Sequence, residues 1–307
     1  MRGSRRAVWS MAGFLSGVVL AGSLSVVPAG AVSTAAACSL SVGAVTAGGD
    51  HRFQGVTAGK PPTASAAMVR PKDLYPDGAA RLPSSLGFEP VVPAGVQRTG
   101  MVALGPRMYY TSYTTDGNGD VVPGSDSLTL IGGGWTQYHR YFERSTYSDS
   151  SFLRQNTYAL VGDVIARWTV GKDGWRYYTT FPGFTSVKAM TLISQTRTYD
   201  TFLATTNGGA LYTIRVSTGA TAPVVKKVRA STWQAFDALI AERCGSQGTL
   251  LLGIDQDTKT GYLYAVGHGN GAATVIQGLG KVPATFAESN YFRYFLHTPE
   301  AGQLFGE

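Results

Sequence analysis

Apolar and polar residues alternate along this chain in short runs, and the runs are punctuated by turn residues. Ser127-Leu-Thr-Leu-Ile131 and Val164-Ile-Ala-Arg-Trp168 alternate with a period near two. Pro223-Val-Val-Lys-Lys-Val228 and Ala273-Thr-Val-Ile276 are rich in β-branched residues, and Ala189-Met-Thr-Leu-Ile193 and Thr249-Leu-Leu-Leu-Gly-Ile254 are nearly continuous apolar stretches. Between them lie Asp116-Gly-Asn-Gly-Asp120, Asn207-Gly-Gly209 and His268-Gly-Asn-Gly271. Alternation bounded by such turns predicts β-strands joined as hairpins.

The strands repeat. A tyrosine phrase recurs at Met108-Tyr109-Tyr110-Thr111, Thr157-Tyr158-Ala159-Leu160, Leu211-Tyr212-Thr213-Ile214 and Leu263-Tyr264-Ala265-Val266, with central tyrosines 49, 54 and 52 residues apart. A second phrase recurs at Trp135-Thr-Gln-Tyr138, Phe184-Thr-Ser-Val187 and Trp233-Gln-Ala-Phe236, at intervals of 49 and 49. Tyr138-His-Arg-Tyr-Phe142 is echoed by Tyr291-Phe-Arg-Tyr-Phe295, at an offset of 153. A unit of about 50 residues with three or four strands has the content of a propeller blade rather than of a βαβ unit. So small a unit cannot bury its face alone, so copies must stack. The expectation is an all-β, five-bladed β-propeller. Its ring would be closed by combining both chain ends: Gln303-Leu304-Phe305 would open a blade that Ser39–Val45 completes. The stretch 51–98 holds Pro61, Pro62, Pro71, Pro76, Pro83, Pro90 and Pro93, and reads as an irregular insertion, a poorly paired blade or a plain linker.

Export changes the charge arithmetic. Arg2, Arg5 and Arg6 precede Ala7–Ala31, which carries no charge and ends in Pro28-Ala-Gly-Ala31. This is the layout of a secretory signal peptide over residues 1–31, with a single membrane anchor as its rival. The remaining 276 residues, 32–307, form one domain with 23 Lys and Arg against 19 Asp and Glu, a charge of +4. That excess is too small to argue for a nucleic-acid partner, and after cleavage no stable membrane insertion is expected. The chain is therefore expected to be secreted. Its two cysteines, Cys38 and Cys244, would be disulfide-bonded in an oxidising compartment. Lipidation of Cys38 is disfavoured because Ala35-Ala36-Ala37 lacks the apolar residue that reaction wants.

Ile131-Gly-Gly-Gly-Trp135-Thr-Gln-Tyr-His-Arg-Tyr-Phe142, followed by Tyr158-Ala-Leu160, resembles the repeat of tachylectin-2-like lectins, and Ser231-Thr-Trp233-Gln-Ala-Phe236 and Leu263-Tyr-Ala-Val266 resemble further copies. The resemblance spans roughly residues 100–305. It implies a five-bladed propeller that binds N-acetylated sugars near blade junctions, a glycan partner of GlcNAc or GalNAc type, and no cofactor. Gly133, Gly134 and Trp135 match the Gly-Gly-Trp phrase in full, whereas the other copies carry Gly183-Phe184, Thr232-Trp233 and Thr285-Phe286.

Sugar binding asks for an aromatic platform and a few polar groups. Trp135, Trp175 and Trp233, with Tyr138 beside the first, are the candidates; blade packing is the competing role for each. Trp175 follows Asp173-Gly174, off the repeat, and is expected to sit exposed in a turn. No Gly-x-Ser-x-Gly, His-Glu-x-x-His, Cys-x-x-Cys or phosphate-loop spacing occurs, and His51, His139, His268 and His297 never pair at metal-ligand spacing, so no metal site is expected. Asp116–Asp120 and Asp255-Gln-Asp257 read as turns rather than cation loops. A propeller glycoside hydrolase needs two carboxyl groups at matched depth. Asp163, Asp200 and Glu242 are scattered candidates, so a non-catalytic glycan-binding protein is the leading expectation. A hydrolase, or an extracellular interaction or cell-wall scaffold, is the alternative.

Overall fold

The computed structural model describes residues 37–307 except 92–94, 172–173 and 220. The expected signal peptide, 1–31, lies outside the described residues. Among the described residues no helix is long and apolar enough to cross a membrane.

The chain is almost wholly β. It begins with β1 (Ser39–Val45), β2 (His51–Thr57), β3 (Thr63–Ala64), β4 (Met68–Val69), β5 (Ala80–Pro83), β6 (Leu86–Val91), β7 (Gly95–Leu104), β8 (Arg107–Thr115) and β9 (Ser127–Gly133). Then come β10 (His139–Asp149), β11 (Phe152–Val161), β12 (Val164–Gly171) and β13 (Gly174–Pro182), which form one four-stranded antiparallel sheet in chain order. A second such sheet holds β14 (Val187–Gln195), β15 (Tyr199–Thr206), β16 (Leu211–Ser217) and β17 (Val224–Arg229). A third holds β18 (Ala238–Cys244), β19 (Gly248–Asp255), β20 (Thr260–Val266) and β21 (Ile276–Lys281). β22 (Asn290–Leu296) pairs antiparallel with β1 and parallel with β6, and so joins β1–β4 and β5–β9 into one ten-stranded sheet. The strand contact between the two ends of the described chain makes the arrangement propeller-like.

Burial explains the strand compositions. Second strands such as β15 and β19 are covered on both faces by neighbouring sheets, so they read as continuous apolar or small runs. Last strands such as β9 and β17 lie exposed, and they carry the Ser, Thr and Lys residues that interrupt their apolar pattern. The first strands β10, β14, β18 and β22 follow one another around the molecule, and β22 and β10 both lie against β5.

One local device recurs. The backbone N–H of Trp135 donates to the carbonyl of Pro106, that of Phe184 to Asp163, that of Trp233 to Gly209 and that of Phe286 to Lys259. The acceptors sit in the turns β7–β8, β11–β12, β15–β16 and β19–β20. The N–H of Tyr75 makes the same bond to Gly49, in the turn between β1 and β2. All five rings are buried, and each belongs to a different hydrophobic cluster between neighbouring strands sets. Burying rings of this size stabilises by about 1.5–3 kcal/mol apiece. Gly49 has φ +78°, and a Cβ there would lie 1.8 Å from the Tyr75 carbonyl oxygen, so this approach requires glycine.

Several expectations change in detail. The stretch 51–98 is not a plain linker: it supplies β2 to β6 and the Tyr75 plug. The tyrosine phrases lie on β8, β16 and β20, each next to an end strand (β9, β17, β21), but Tyr158 lies on β11, one strand further from the end strand β13, so that copy is out of register. Asn290–Leu296 rather than Leu304-Phe305 meets β1, because the turn α1 (Pro299–Gly302), capped by Thr298, redirects the chain. Leu304 instead packs beside Phe184 and Leu192, and its carbonyl accepts from the Gln195 N–H. The segment 273–276 is not a strand, since Gly271–Ala273 forms a 3-10 turn and β21 begins at Ile276.

Cys38, just before β1, and Cys244, the last residue of β18, are disulfide-bonded with a Cα–Cα distance of 5.5 Å. The bridge ties the ten-stranded sheet to the β18–β21 sheet across 206 residues of chain. A disulfide is consistent with an oxidising, extracellular setting.

Candidate functional site

The sequence-selected aromatics do not share one exposed surface. Trp135 and Trp233 are each only 5% exposed. The Trp135 ring is enclosed by His139 (4.5 Å between centroids), Phe142 (4.9 Å), Trp168 (6.0 Å) and Trp175 (6.1 Å). The Trp233 ring lies against Tyr264 (4.8 Å) and Phe236 (5.6 Å). Rings so covered act as packing in this conformation. Trp175 is not in a turn: Gly171 pairs with Gly174 to close the hairpin, leaving Trp175 as the second residue of β13. Its half-buried indole stacks on Phe142 at 5.9 Å. Gly133 and Gly134 are exposed, Gly134 with φ +86°, and Tyr138 is 64% exposed. Among the proposed aromatics, Tyr138 is the most exposed.

A cavity of about 750 Å³ lies elsewhere, among the first strands of the sheets. β10, β14, β18 and β22 and the segment 82–101 all contribute to its wall. The inward residues differ sharply from sheet to sheet. β10 offers Glu143 and Arg144, β14 offers Lys188, the residue just before β18 is Asp237, and β22 offers Arg293. Tyr110, Tyr141 and Tyr291 add aromatic surface to the same wall.

Most of these charges are already spoken for. Lys188 pairs with Asp237 at 2.9 Å and donates to the Gln234 carbonyl. Arg293 makes a two-pronged pair with Glu242 at 2.8 and 2.7 Å. Arg140 donates to the carbonyls of Val187 and Gly162. Glu143 accepts from the Ser85 hydroxyl at 2.6 Å, from the Ser85 N–H and from the Arg144 N–H. Burial pushes its carboxyl above the usual range, against the opposing pull of those hydrogen bonds and of the Arg293 charge. Burial also holds His139, at the start of β10, below the usual imidazole range.

Arg144 differs from its neighbours. Among the described residues its guanidinium forms no ion pair, and its buried Nε has no hydrogen-bond acceptor.

The carboxylates singled out from sequence are otherwise engaged. Asp200 is fully buried and is bound by Arg154, by the Ser145 and Tyr158 hydroxyls and by the Asn156 amide. Glu242 is held by Arg293. Asp163 lies exposed in the β11–β12 turn. Asp116 accepts from the N–H groups of Asn118 and Asp120, and Asp255 from that of Thr258, so both stabilise their own turns. Among the described residues no cluster of three or more potential metal ligands forms.

Sequence reasoning passed over Glu143 and Arg144. A signal was present: 49 residues on, the corresponding positions are the apolar Leu192 and Ile193. Charges in a strand whose copy is apolar mark a position under a different demand.

No protein-family model matches the chain, and no curated protein does. Among solved structures it is similar to the catalytic domain of a Coprinopsis cinerea GH62 alpha-L-arabinofuranosidase, with a TM-score of 0.43 and 16% identity over 69% of this chain and 73% of that chain. It is also similar to a fucose-specific lectin from Aleuria aurantia, with a TM-score of 0.43 and 10% identity over 79% of this chain and 78% of that chain.

Proposed function

We propose that this is a secreted, glycan-binding β-propeller of five blades, with its ligand site in the cavity among the first strands. The five buried plugs, Tyr75, Trp135, Phe184, Trp233 and Phe286, support five blades, one plug per junction. In this reading β22, β1 and β2 form one blade and β6 to β9 another. The tachylectin-like phrases then belong to the scaffold, and the exposed Gly133-Gly134 turn with Tyr138 is the second contact point in this reading, the place for an N-acetylated sugar.

The observation that carries the function is the cavity itself. Its volume of about 750 Å³ falls in the range of ligand sites, and its wall mixes tyrosine rings with charged donors and acceptors from several strands. Sugars present an apolar ring face and a rim of hydroxyls, so they are suited to such a wall. Titrating the protein against an array of neutral and acidic glycans tests the reading; a flat array on folded protein rejects it.

Glu143 favours a hydrolase as the second reading. A buried carboxyl with a raised pKa is the form a general acid takes. The other carboxylate in the wall, Asp237, is neutralised by Lys188, which favours binding over hydrolysis. Release of reducing ends from an array hit, abolished in Glu143→Gln, would instead establish the enzyme.

A further inference from the structure

The charges in the cavity wall do not balance. Arg293 has Glu242 and Lys188 has Asp237. Arg140 donates to two backbone carbonyls, which accept its hydrogen bonds without cancelling its charge. Arg144 has neither a carboxylate nor an acceptor for its Nε among the described residues. Glu143, the remaining acid, turns to Ser85 and feels Arg293 rather than Arg144. Two cations are thus left over, facing one carboxyl that burial keeps toward its neutral form.

An unpaired, half-buried guanidinium is costly unless something completes it. Guanidinium is planar and presents parallel N–H groups that match a carboxylate in a two-pronged bond. Hydroxyls of a neutral sugar would satisfy its donors but would leave the charge uncancelled. Resting on the glycan-binding reading above, we infer that the cavity takes an acidic sugar and that Arg144 binds its carboxylate.

The wall fits this ligand class in other respects. Tyr110, Tyr141 and Tyr291 can cover the ring's apolar face, and the Lys188–Asp237 pair provides a donor and an acceptor for hydroxyls. Arg140 adds positive potential to the same wall, with one N–H of each of its two terminal nitrogens held by a backbone carbonyl.

The test uses the purified protein and three probes: an oligogalacturonate, the same oligomer methyl-esterified, and a neutral N-acetylglucosamine oligomer. The acid form should bind about 10- to 100-fold more tightly than the ester, the range of a charge-assisted hydrogen bond. Arg144→Gln should lose a similar factor toward the acid form and leave the ester little changed, while Arg144→Lys should recover part of the loss. Equal affinity for acid and ester overturns the inference, as does undiminished acid binding by folded Arg144→Gln. Binding of the neutral oligomer alone also overturns it and leaves the glycan-binding reading standing. Failure of all three probes, together with a flat array, removes both. If Arg144→Gln does not fold, the acid-against-ester comparison on the unaltered protein still decides.

Discussion

Lys188 and Asp237, 49 residues apart and at the same place in successive repeats, form an ion pair of 2.9 Å between β14 and the residue that leads into β18. Identical repeats would place like charges at this junction. The divergence of the copies has turned a symmetry-related pair into a specific contact between two particular sheets. Both side chains remain one-quarter exposed, so the pair is screened. A double-mutant cycle with Lys188→Met and Asp237→Asn should give a coupling of up to about 1 kcal/mol in denaturant unfolding, shrinking with added salt.

The plug aromatics and the exposed tyrosine should separate cleanly. Trp135→Ala and Trp233→Ala each remove a ring that is 5% exposed and should lower unfolding free energy by about 3–5 kcal/mol. Tyr138→Ala, at a largely exposed position, should stay within about 0.5 kcal/mol of the parent. Equilibrium denaturation of the three variants measures this, and a stable Trp135→Ala would mean the ring is not structural.

Asp200 should be the most sensitive carboxylate. It is fully buried on β15 and holds Ser145 of β10 together with Arg154, Asn156 and Tyr158 of β11. Asp200→Asn leaves the Arg154 charge buried without its counter-ion, so a loss of about 3–5 kcal/mol is expected. Thermal unfolding would register it as a marked drop in Tm, with no comparable effect from Asp163→Asn on its exposed turn.

The Cys38–Cys244 bridge closes a loop of 206 residues, which restricts the unfolded chain strongly. Replacing both cysteines with serine should lower stability by about 2–5 kcal/mol. Thiol titration of the unreduced, unfolded protein should find no free thiol from this pair, and two after reduction.

Stability should fall in mild acid partly through His51. This imidazole is buried against Phe53, Tyr75, Tyr113 and Phe292, and its Nδ1 lies 2.6 Å from the Tyr113 hydroxyl. Burial, with the nearby Arg98 charge, pushes its pKa from 6.5 down to about 3. The unfolded chain therefore binds this proton more readily than the folded one at any pH between those values. The stabilising contribution is complete above pH 6.5 and is lost as pH falls toward 3, at up to about 1.4 kcal/mol per pH unit. Between pH 7 and 5, the parent should lose about 2 kcal/mol more than His51→Gln when both are unfolded by urea.

Much of the framework was legible locally. Strand class followed from alternation and from turns such as Asn207-Gly-Gly209, because both depend on neighbours in sequence. The Trp135, Phe184 and Trp233 phrase marked the true period, since each copy must place one large ring against the same turn of the preceding sheet. The cysteine pairing was also legible, as there are only two.

Tertiary structure decided the rest, because it depends on partners distant in sequence. Tyr75 lies among prolines and shares no phrase with Trp135, yet it makes the equivalent bond to Gly49. Tyr158 kept the apparent period but fell on a second strand, where its hydroxyl serves Asp200. Indoles that looked like sugar platforms are covered by rings from other strands. The same holds for charge. Asp200 and Glu242 are paired with Arg154 and Arg293, whereas Arg144 has no counter-ion among the described residues, and no local pattern encodes which. A residue type states what a group can do, but the elements folded against it determine whether that capacity is already used.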